Sequence, residues 1–147
     1  MTTAAALTRD RMLIVLPWPD PDADDGFGFA MAVADGTAIV GAWGDDAGGM
    51  NAGAAYVFVR NETTWTQQAY LKASNTGQDD EFGYAVAVSD RTVVVGARWE
   101  ASAAKVINGD DTDDSAFSAG AAYVFVRSET EWTQQAYLKA ATAHWGD

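Results

Sequence analysis

Large and small apolar residues alternate with a period of two in two similar stretches of the chain. In Phe27–Ala34 the bulky side chains are separated by glycine or alanine, and Phe82–Val88 repeats the arrangement. This period is typical of a β-strand with two different faces. A tight turn at Asp35-Gly36 and a second apolar run, Thr37–Ala42, complete a predicted hairpin. The pattern therefore predicts an all-β fold.

A second pair of segments is almost identical. Gly53–Ala73 and Gly120–Ala140 differ at two positions only. Each begins with a strand, Ala54–Arg60 in the first copy, that is apolar on both faces and is therefore expected between two layers. Each continues with a more polar strand, Trp65–Ala73 in the first copy, which suits the outer edge of a sheet. Every copy thus predicts four antiparallel strands.

Repeated four-stranded units that are apolar on both sides predict β-propeller blades, with a two-sheet sandwich as the alternative. The run Met12–Trp18 falls where an outer strand of a preceding blade would lie, so we expect one extra N-terminal strand. The predicted organisation is an N-terminal segment at 1–23, blade 1 at 24–73, blade 2 at 74–140 with a loop insertion at 98–118, and a C-terminal tail at 141–147.

The dipeptides at the start and end of each hairpin resemble those of a known repeat. Phe27-Gly28 followed by Gly41-Ala42, with its second copy in blade 2, is similar to the FG-GAP repeat of integrin α-subunit propellers and of many bacterial surface proteins. The resemblance implies propeller blades and an extracellular or cell-surface location. Propellers close with four to eight blades, so two blades leave apolar faces open. We therefore expect a homo-oligomer that completes the ring.

The chain departs from that family at two points. Trp43 and Arg98 stand where the family has a proline after Gly-Ala. The acidic calcium loop that some members carry between the first two strands is replaced by a short turn, so no metal or other cofactor is expected there. In the insertion, calcium binding remains an alternative to a solvated acidic loop, for Asp110, Asp111, Asp113 and Asp114.

Charge and residue usage exclude several function classes. The net charge of −12 opposes binding to phosphate backbones, so no nucleic-acid partner is expected. The longest apolar run is too short for a signal peptide or a membrane span. The chain has no cysteine and a single histidine, His144, near its end, which makes a nucleophile–base pair hard to build. We therefore expect a protein that is not an enzyme.

Candidate ligand contacts follow the second strand of each blade, where a loop begins. They are Trp43, Asp45, Asp46, Arg98 and Trp99. An exposed tryptophan beside a carboxylate can stack on a sugar ring and bind its hydroxyls, whereas a buried one would fill the gap between blades. The sequence predicts a binding or adhesion module with a glycan or protein ligand. The alternatives are a lectin, and a purely structural self-assembling unit that was engineered or recently duplicated.

Overall fold

A computed structural model describes residues 6–8, 11–13 and 22–142, and within these ranges it contains strands and no helix. The strands are β1 (Ala6–Thr8), β2 (Arg11–Leu13), β3 (Ala30–Ala34), β4 (Thr37–Ala42), β5 (Ala54–Asn61), β6 (Thr64–Leu71), β7 (Phe82–Ser89), β8 (Thr92–Ala97), β9 (Ala121–Ser128) and β10 (Glu131–Leu138). All pair antiparallel with their sheet neighbours.

The strands form two sheets, ordered β2-β1-β6-β5-β4-β3 and β10-β9-β8-β7. Strands β3–β6 are blade 1 and β7–β10 are blade 2, which confirms the prediction of two four-stranded antiparallel units. The turns between the first two strands of each blade have a positive φ at Asp35, Gly36 and Asp90. Glycine and aspartate tolerate this conformation, which matches the right-handed twist of a hairpin.

The N-terminal region differs from the single outer strand predicted at Met12–Trp18. The described part is a short hairpin in which β1 pairs with β2 on one side and with the outer strand β6 of blade 1 on the other. Residues 14–18 of the predicted strand lie outside the described residues. The described hairpin covers the edge of β6.

The first strand of blade 1 begins later than the alternation predicted, at Ala30 instead of Phe27. Gly28 has a φ of 89°, and the equivalent Gly83 has a φ of 93°. In blade 2 the pairing of β7 with β8 shifts between Phe82 and Ala85. A residue in this region of φ interrupts the ladder, so the glycine bends the strand in both blades.

The two blades pack face to face, and each blade has a front face and a back face. The front face carries Phe27, Met31, Val33, Val40 and Phe58 in blade 1, and Phe82, Val86, Val88, Val95 and Phe125 in blade 2. The back face carries Ala32, Ile39, Val57 and Leu71 in blade 1, and Ala87, Val94, Val124 and Leu138 in blade 2. The front face of blade 2 packs against the back face of blade 1 in one apolar core.

Strand β5 is apolar and buried on both faces, as predicted. Tyr56 and Phe58 lie in the front-face cluster of blade 1, and Val57 lies in the core between the blades. All three are 0% exposed. A strand buried on both faces requires layers on both sides, and the described front-face cluster consists of blade 1 side chains.

Two glycines allow the backbones of the blades to meet. A Cβ atom built on Gly41 would lie 1.9 Å from the carbonyl oxygen of Gly83, and one built on Gly83 would lie 2.2 Å from the carbonyl oxygen of Ala54. No side chain fits at either position without moving a blade. The equivalents on the open faces are unobstructed, since a Cβ on Gly96 meets nothing closer than Ala85 at 3.6 Å.

This difference gives a matched test of the boundary. Gly41→Ala is expected to lower the free energy of unfolding by about 3 kcal/mol or more, because the new methyl group overlaps backbone that cannot rotate away. Gly96→Ala is expected to be neutral or to stabilise by about 0.5 kcal/mol, since alanine loses less entropy than glycine in a strand. Urea unfolding of the dilute single chain measures both, and equal effects would contradict the packing described.

Candidate binding surface at the blade boundary

Each blade contains a buried carboxylate that holds the loop after its second strand. In blade 1 this group is Asp45, which accepts hydrogen bonds from the Tyr70 hydroxyl at 3.0 Å and the Tyr56 hydroxyl at 3.3 Å. The Lys72 ammonium lies 3.4 Å from Asp45 and also donates to the carbonyl oxygen of Gly53. Because Gly53 in turn donates its amide to the Asp45 carbonyl oxygen, the loop is tied at both ends.

Blade 2 builds the same centre around Glu100. Its carboxylate accepts from Tyr137 at 2.9 Å and pairs with Lys139 at 2.7 Å, with both charged side chains at most 1% exposed. Asn75, from the segment between the blades, donates to Glu100 and accepts from the Tyr123 hydroxyl. The linker is therefore part of the blade 2 centre, whereas the hydrogen bonds described above for the blade 1 centre come from blade 1 residues.

The electrostatics of these centres mark them as structural. Burial, followed by the charge of Asp45, raises the pKa of Tyr56 and Tyr70 well above the usual range. Burial lowers the pKa of Lys72, and the nearby Asp45 carboxylate opposes that shift. The tyrosines thus remain neutral donors at ordinary pH, and the centre contributes a fixed network.

The structure separates the two predicted aspartates. Asp45 is 1% exposed and its carboxylate serves the buried centre, so it offers no surface to a ligand in this structure. Asp46 is exposed on the following loop and accepts a hydrogen bond from the Asn51 amide at 2.8 Å. Sequence reasoning named both as ligand contacts because they follow Trp43 where a loop begins.

The other three predicted residues come together where the blades meet. Trp43 and Arg98 line one cavity of about 220 Å³. The Arg98 guanidinium lies between two aromatic rings, 4.1 Å from the centroid of Tyr84 and 4.3 Å from that of Trp99. It also forms an ion pair with Glu81 at 2.9 Å. Stacking and pairing fix the arginine, so the rings and the guanidinium form one rigid surface.

Sequence reasoning missed three residues of this cavity, Phe29, Glu81 and Tyr84. A signal for Glu81 is present in the comparison of the two copies. A Cβ on Gly26, the equivalent of Glu81, would lie 2.7 Å from the indole nitrogen of Trp43, the equivalent of Arg98. Both residues of the contacting pair therefore differ between the blades. Blade 1 has Gly26 with Trp43, and blade 2 has Glu81 with Arg98.

The insertion adds a groove next to this cavity. A pocket of about 400 Å³ lies between the linker and the insertion, and its lining includes Trp99 and Phe117 together with the acidic Asp79, Asp80 and Glu81. Trp99 is 38% exposed and Phe117 is 61% exposed. The pocket combines aromatic surface with carboxylates, the composition that the sequence associated with sugar binding.

The acidic residues of the insertion are engaged in local hydrogen bonds. Asp110 accepts from both the amide and the hydroxyl of Thr112, and Asp113 accepts from the Ser115 amide. Asp111 accepts from the Ser74 hydroxyl of the linker. Within residues 22–142 no three acidic or histidine side chains gather in a metal-binding group. His144, the one histidine, lies outside the described residues.

Two units of four antiparallel strands, β3–β6 and β7–β10, stacked through apolar faces and repeated in sequence, define a protein built from β-propeller blades. A family model described as FG-GAP repeat matches residues 16–58 and 65–125. The chain belongs to the FG-GAP repeat family, which confirms the resemblance noted from its sequence. No curated protein matches the chain. Among the described residues no helix has the length and apolar character needed to cross a membrane.

Asp80 gives the boundary a pH dependence. It is 7% exposed, and its carboxylate accepts the Gly77 amide at 2.9 Å. Burial and then the charge of Glu100 raise the pKa of Asp80 to about 6. Between pH ~4 and ~6 the folded chain therefore retains a proton that the unfolded chain has lost, so folding stability falls as pH rises through this window.

Replacing Asp80 with a neutral residue should remove the part of the pH dependence of folding stability that the Asp80 carboxylate causes. Relative to wild type, Asp80→Asn is expected to gain stability as pH rises from 4 to 7, by on the order of 2 to 3 kcal/mol. Urea unfolding at several pH values measures the difference, with the exposed Asp90→Asn as the control. A difference between Asp80→Asn and wild type that stays constant with pH would contradict this assignment.

Proposed function

We propose that this chain is a non-enzymatic binding module of the adhesion type. Its two open blade faces pack against further copies to complete a propeller, and its boundary loops present the ligand contacts. The FG-GAP family membership supports an extracellular or cell-surface location. The observation that carries the proposal is that the two exposed blade faces are the equivalents of the two faces that pack against each other inside the chain.

On the front face of blade 1, two side chains of β3 are far more exposed than their equivalents in blade 2. Met31 is 71% exposed and Val33 is 67% exposed, whereas the equivalent Val86 and Val88 are partly buried against blade 1. A cavity of about 420 Å³ lined by Met31, Val33 and Phe58, among others, runs along this face. The side chains that line this cavity are apolar. Covering them with an apolar partner would remove them from water and stabilise the complex.

The back face of blade 2 is partly exposed, whereas the equivalent face of blade 1 is buried. Val57 and Leu71 are buried under blade 2, whereas their equivalents Val124 and Leu138 are partly exposed. A shallow cavity of about 180 Å³ on this face is lined by Gly96 and Ala121, among others. Because the same residue types already meet inside the chain, the surface that fits each open face is a blade of the same kind.

A contact between the front face of one copy and the back face of the next is head-to-tail. Such contacts form rings when the rotation between copies closes and filaments when it does not. The packing of blade 2 on blade 1 sets the rotation and the distance between consecutive blades. Propellers of four to eight blades close into rings with a rotation of this kind. We therefore propose a closed ring of a few copies.

Gly96→Ala tests this assembly without disturbing the single chain. In the docked copy the carbonyl oxygen of Gly28 would lie against residue 96, as that of Gly83 lies against Gly41. The variant is expected to keep the wild-type circular dichroism spectrum and melting temperature of the dilute chain. Its mass by light scattering is expected to fall from a multiple of the chain to that of one chain.

Asn61→Ser, which places the blade 2 residue at the exposed end of β5, serves as the control and should assemble as wild type does. A wild-type chain that stays monomeric at high concentration would overturn the proposed assembly. Assembly of Gly96→Ala with unchanged affinity would overturn the proposed faces.

A carbohydrate ligand is the second candidate, and the exposed ring of Trp99 favours it. The ring stacks on Arg98 with one face and opens on the groove that also contains Phe117 and Asp80. An immobilised aromatic ring beside carboxylates provides both the stacking surface and the hydrogen-bond acceptors that a sugar requires.

Trp99→Ala is expected to reduce binding on a glycan array at least tenfold, since the ring supplies the stacking surface. Val106→Ala, an exposed change in the same insertion away from the groove, is expected to leave binding unchanged. Glycan binding that survives Trp99→Ala would place the site elsewhere. An assembled ring without any glycan binding would favour the purely structural unit.

A further inference from the structure

The segment Thr-Gln-Gln occurs unchanged in both blades, yet among the described residues only one glutamine of each blade forms a hydrogen bond across the blade boundary. Across the blade boundary, Trp132 donates its indole N–H to the Gln68 side-chain oxygen at 2.7 Å. In the other direction, the Gln134 amide accepts the Ser74 backbone N–H at 3.1 Å and donates to the Ser74 hydroxyl at 2.8 Å. Blade 1 thus contributes Gln68 from its back face, and blade 2 contributes Gln134 from its front face.

The alternation of β6 explains why two neighbouring glutamines serve two different blades. Gln67 pairs with Phe58 and so lies on the front face, in line with Trp65 two residues earlier. Gln68 lies at the register shift of β6 and points to the back face, where it meets blade 2. The same alternation in β10 places Gln134 on the front face and Gln135 on the back face.

The two remaining glutamines are Gln67, on the front face of blade 1, and Gln135, on the back face of blade 2. On the front face of blade 1, both polar atoms of the Gln67 amide are shielded from solvent and have no hydrogen-bond partner among the described residues. A shielded amide without partners is costly, and it marks a place where a contact is missing. On the back face of blade 2, Gln135 is exposed.

We propose that these side chains form a polar latch between copies, an inference that rests on the head-to-tail assembly proposed above. A second copy that docks as blade 2 docks on blade 1 brings Trp65 to Gln135, repeating the pair of Trp132 with Gln68. It also brings the backbone N–H of Ala141 to the Gln67 side-chain oxygen, repeating the pair of Ser74 with Gln134.

The latch between copies lacks one hydrogen bond of the latch inside the chain. Ala141 stands at the position equivalent to Ser74. It has no hydroxyl that could accept a hydrogen bond from the side-chain NH2 group of the glutamine. Among the described residues Tyr56 binds Asp45 directly, whereas Tyr123 reaches Glu100 through Asn75 of the linker. The glutamine layer is therefore the polar part of the boundary that a second copy would complete.

Sedimentation equilibrium of single-site variants tests the latch. Gln135→Ala is expected to raise the dissociation constant of each contact about tenfold while leaving the unfolding of the dilute chain unchanged. Its matched control Gln68→Ala, in the same position of the other blade, should destabilise the single chain instead. Ala141→Ser supplies the missing hydroxyl and is expected to tighten each contact roughly threefold to tenfold.

The outcomes separate the latch from the assembly itself. A wild-type chain that remains monomeric, with Gly96→Ala behaving identically, overturns the assembly and the latch together. A wild-type oligomer that Gly96→Ala dissociates, but whose affinity changes with neither Gln135→Ala nor Ala141→Ser, overturns the latch alone. Weakening by Gln135→Ala together with tightening by Ala141→Ser supports it, since a merely structural role predicts no gain from an added hydroxyl.

Discussion

The approach of the Gly41 and Gly83 backbones sets the distance between the blades, and the other contacts of the boundary depend on it. At this spacing Val57 and Leu71 of one blade can be covered completely by side chains of the next. The same spacing lets the Trp132 indole reach Gln68 on the neighbouring sheet. A bulkier residue at either glycine would separate the sheets, and the apolar and polar layers would lose contact together.

The buried carboxylate centres fix the loops so that their length can vary. A buried ion pair such as Lys139 with Glu100 adds little net stability over an apolar pair, although losing one partner costs several kcal/mol. The ion pair holds the loop in position. Glu100 and Gly120 mark the two ends of the loop, and they are joined by a backbone hydrogen bond and by hydrogen bonds from Lys139. The longer loop of blade 2 can therefore carry the groove of Trp99 without altering the sheet.

Strand order and faces could be predicted because period-two alternation directly reports which side chains share a face. The late start of β3 could not, since the bend at Gly28 depends on a positive φ that composition does not reveal. The partner of β6 was also missed, because short N-terminal strands carry little pattern. At the site, Asp45 was misplaced because its buried role depends on Lys72 and Tyr70, which are distant in sequence and close only after folding.

The positions where the copies agree and differ point to two separate demands on the blades. The glutamine segment and the boundary glycines are the same in both, as expected for surfaces that must fit the same neighbouring blade. Gly26 with Trp43 and Glu81 with Arg98 differ as pairs, which preserves a contact while changing its chemistry. An exchange of this kind alters the charge and shape presented at the loops without altering the spacing of the sheets. The near-identical segments Gly53–Ala73 and Gly120–Ala140 therefore carry contacts between blades, whereas the proposed ligand contacts fall at the paired positions and in the insertion beside them.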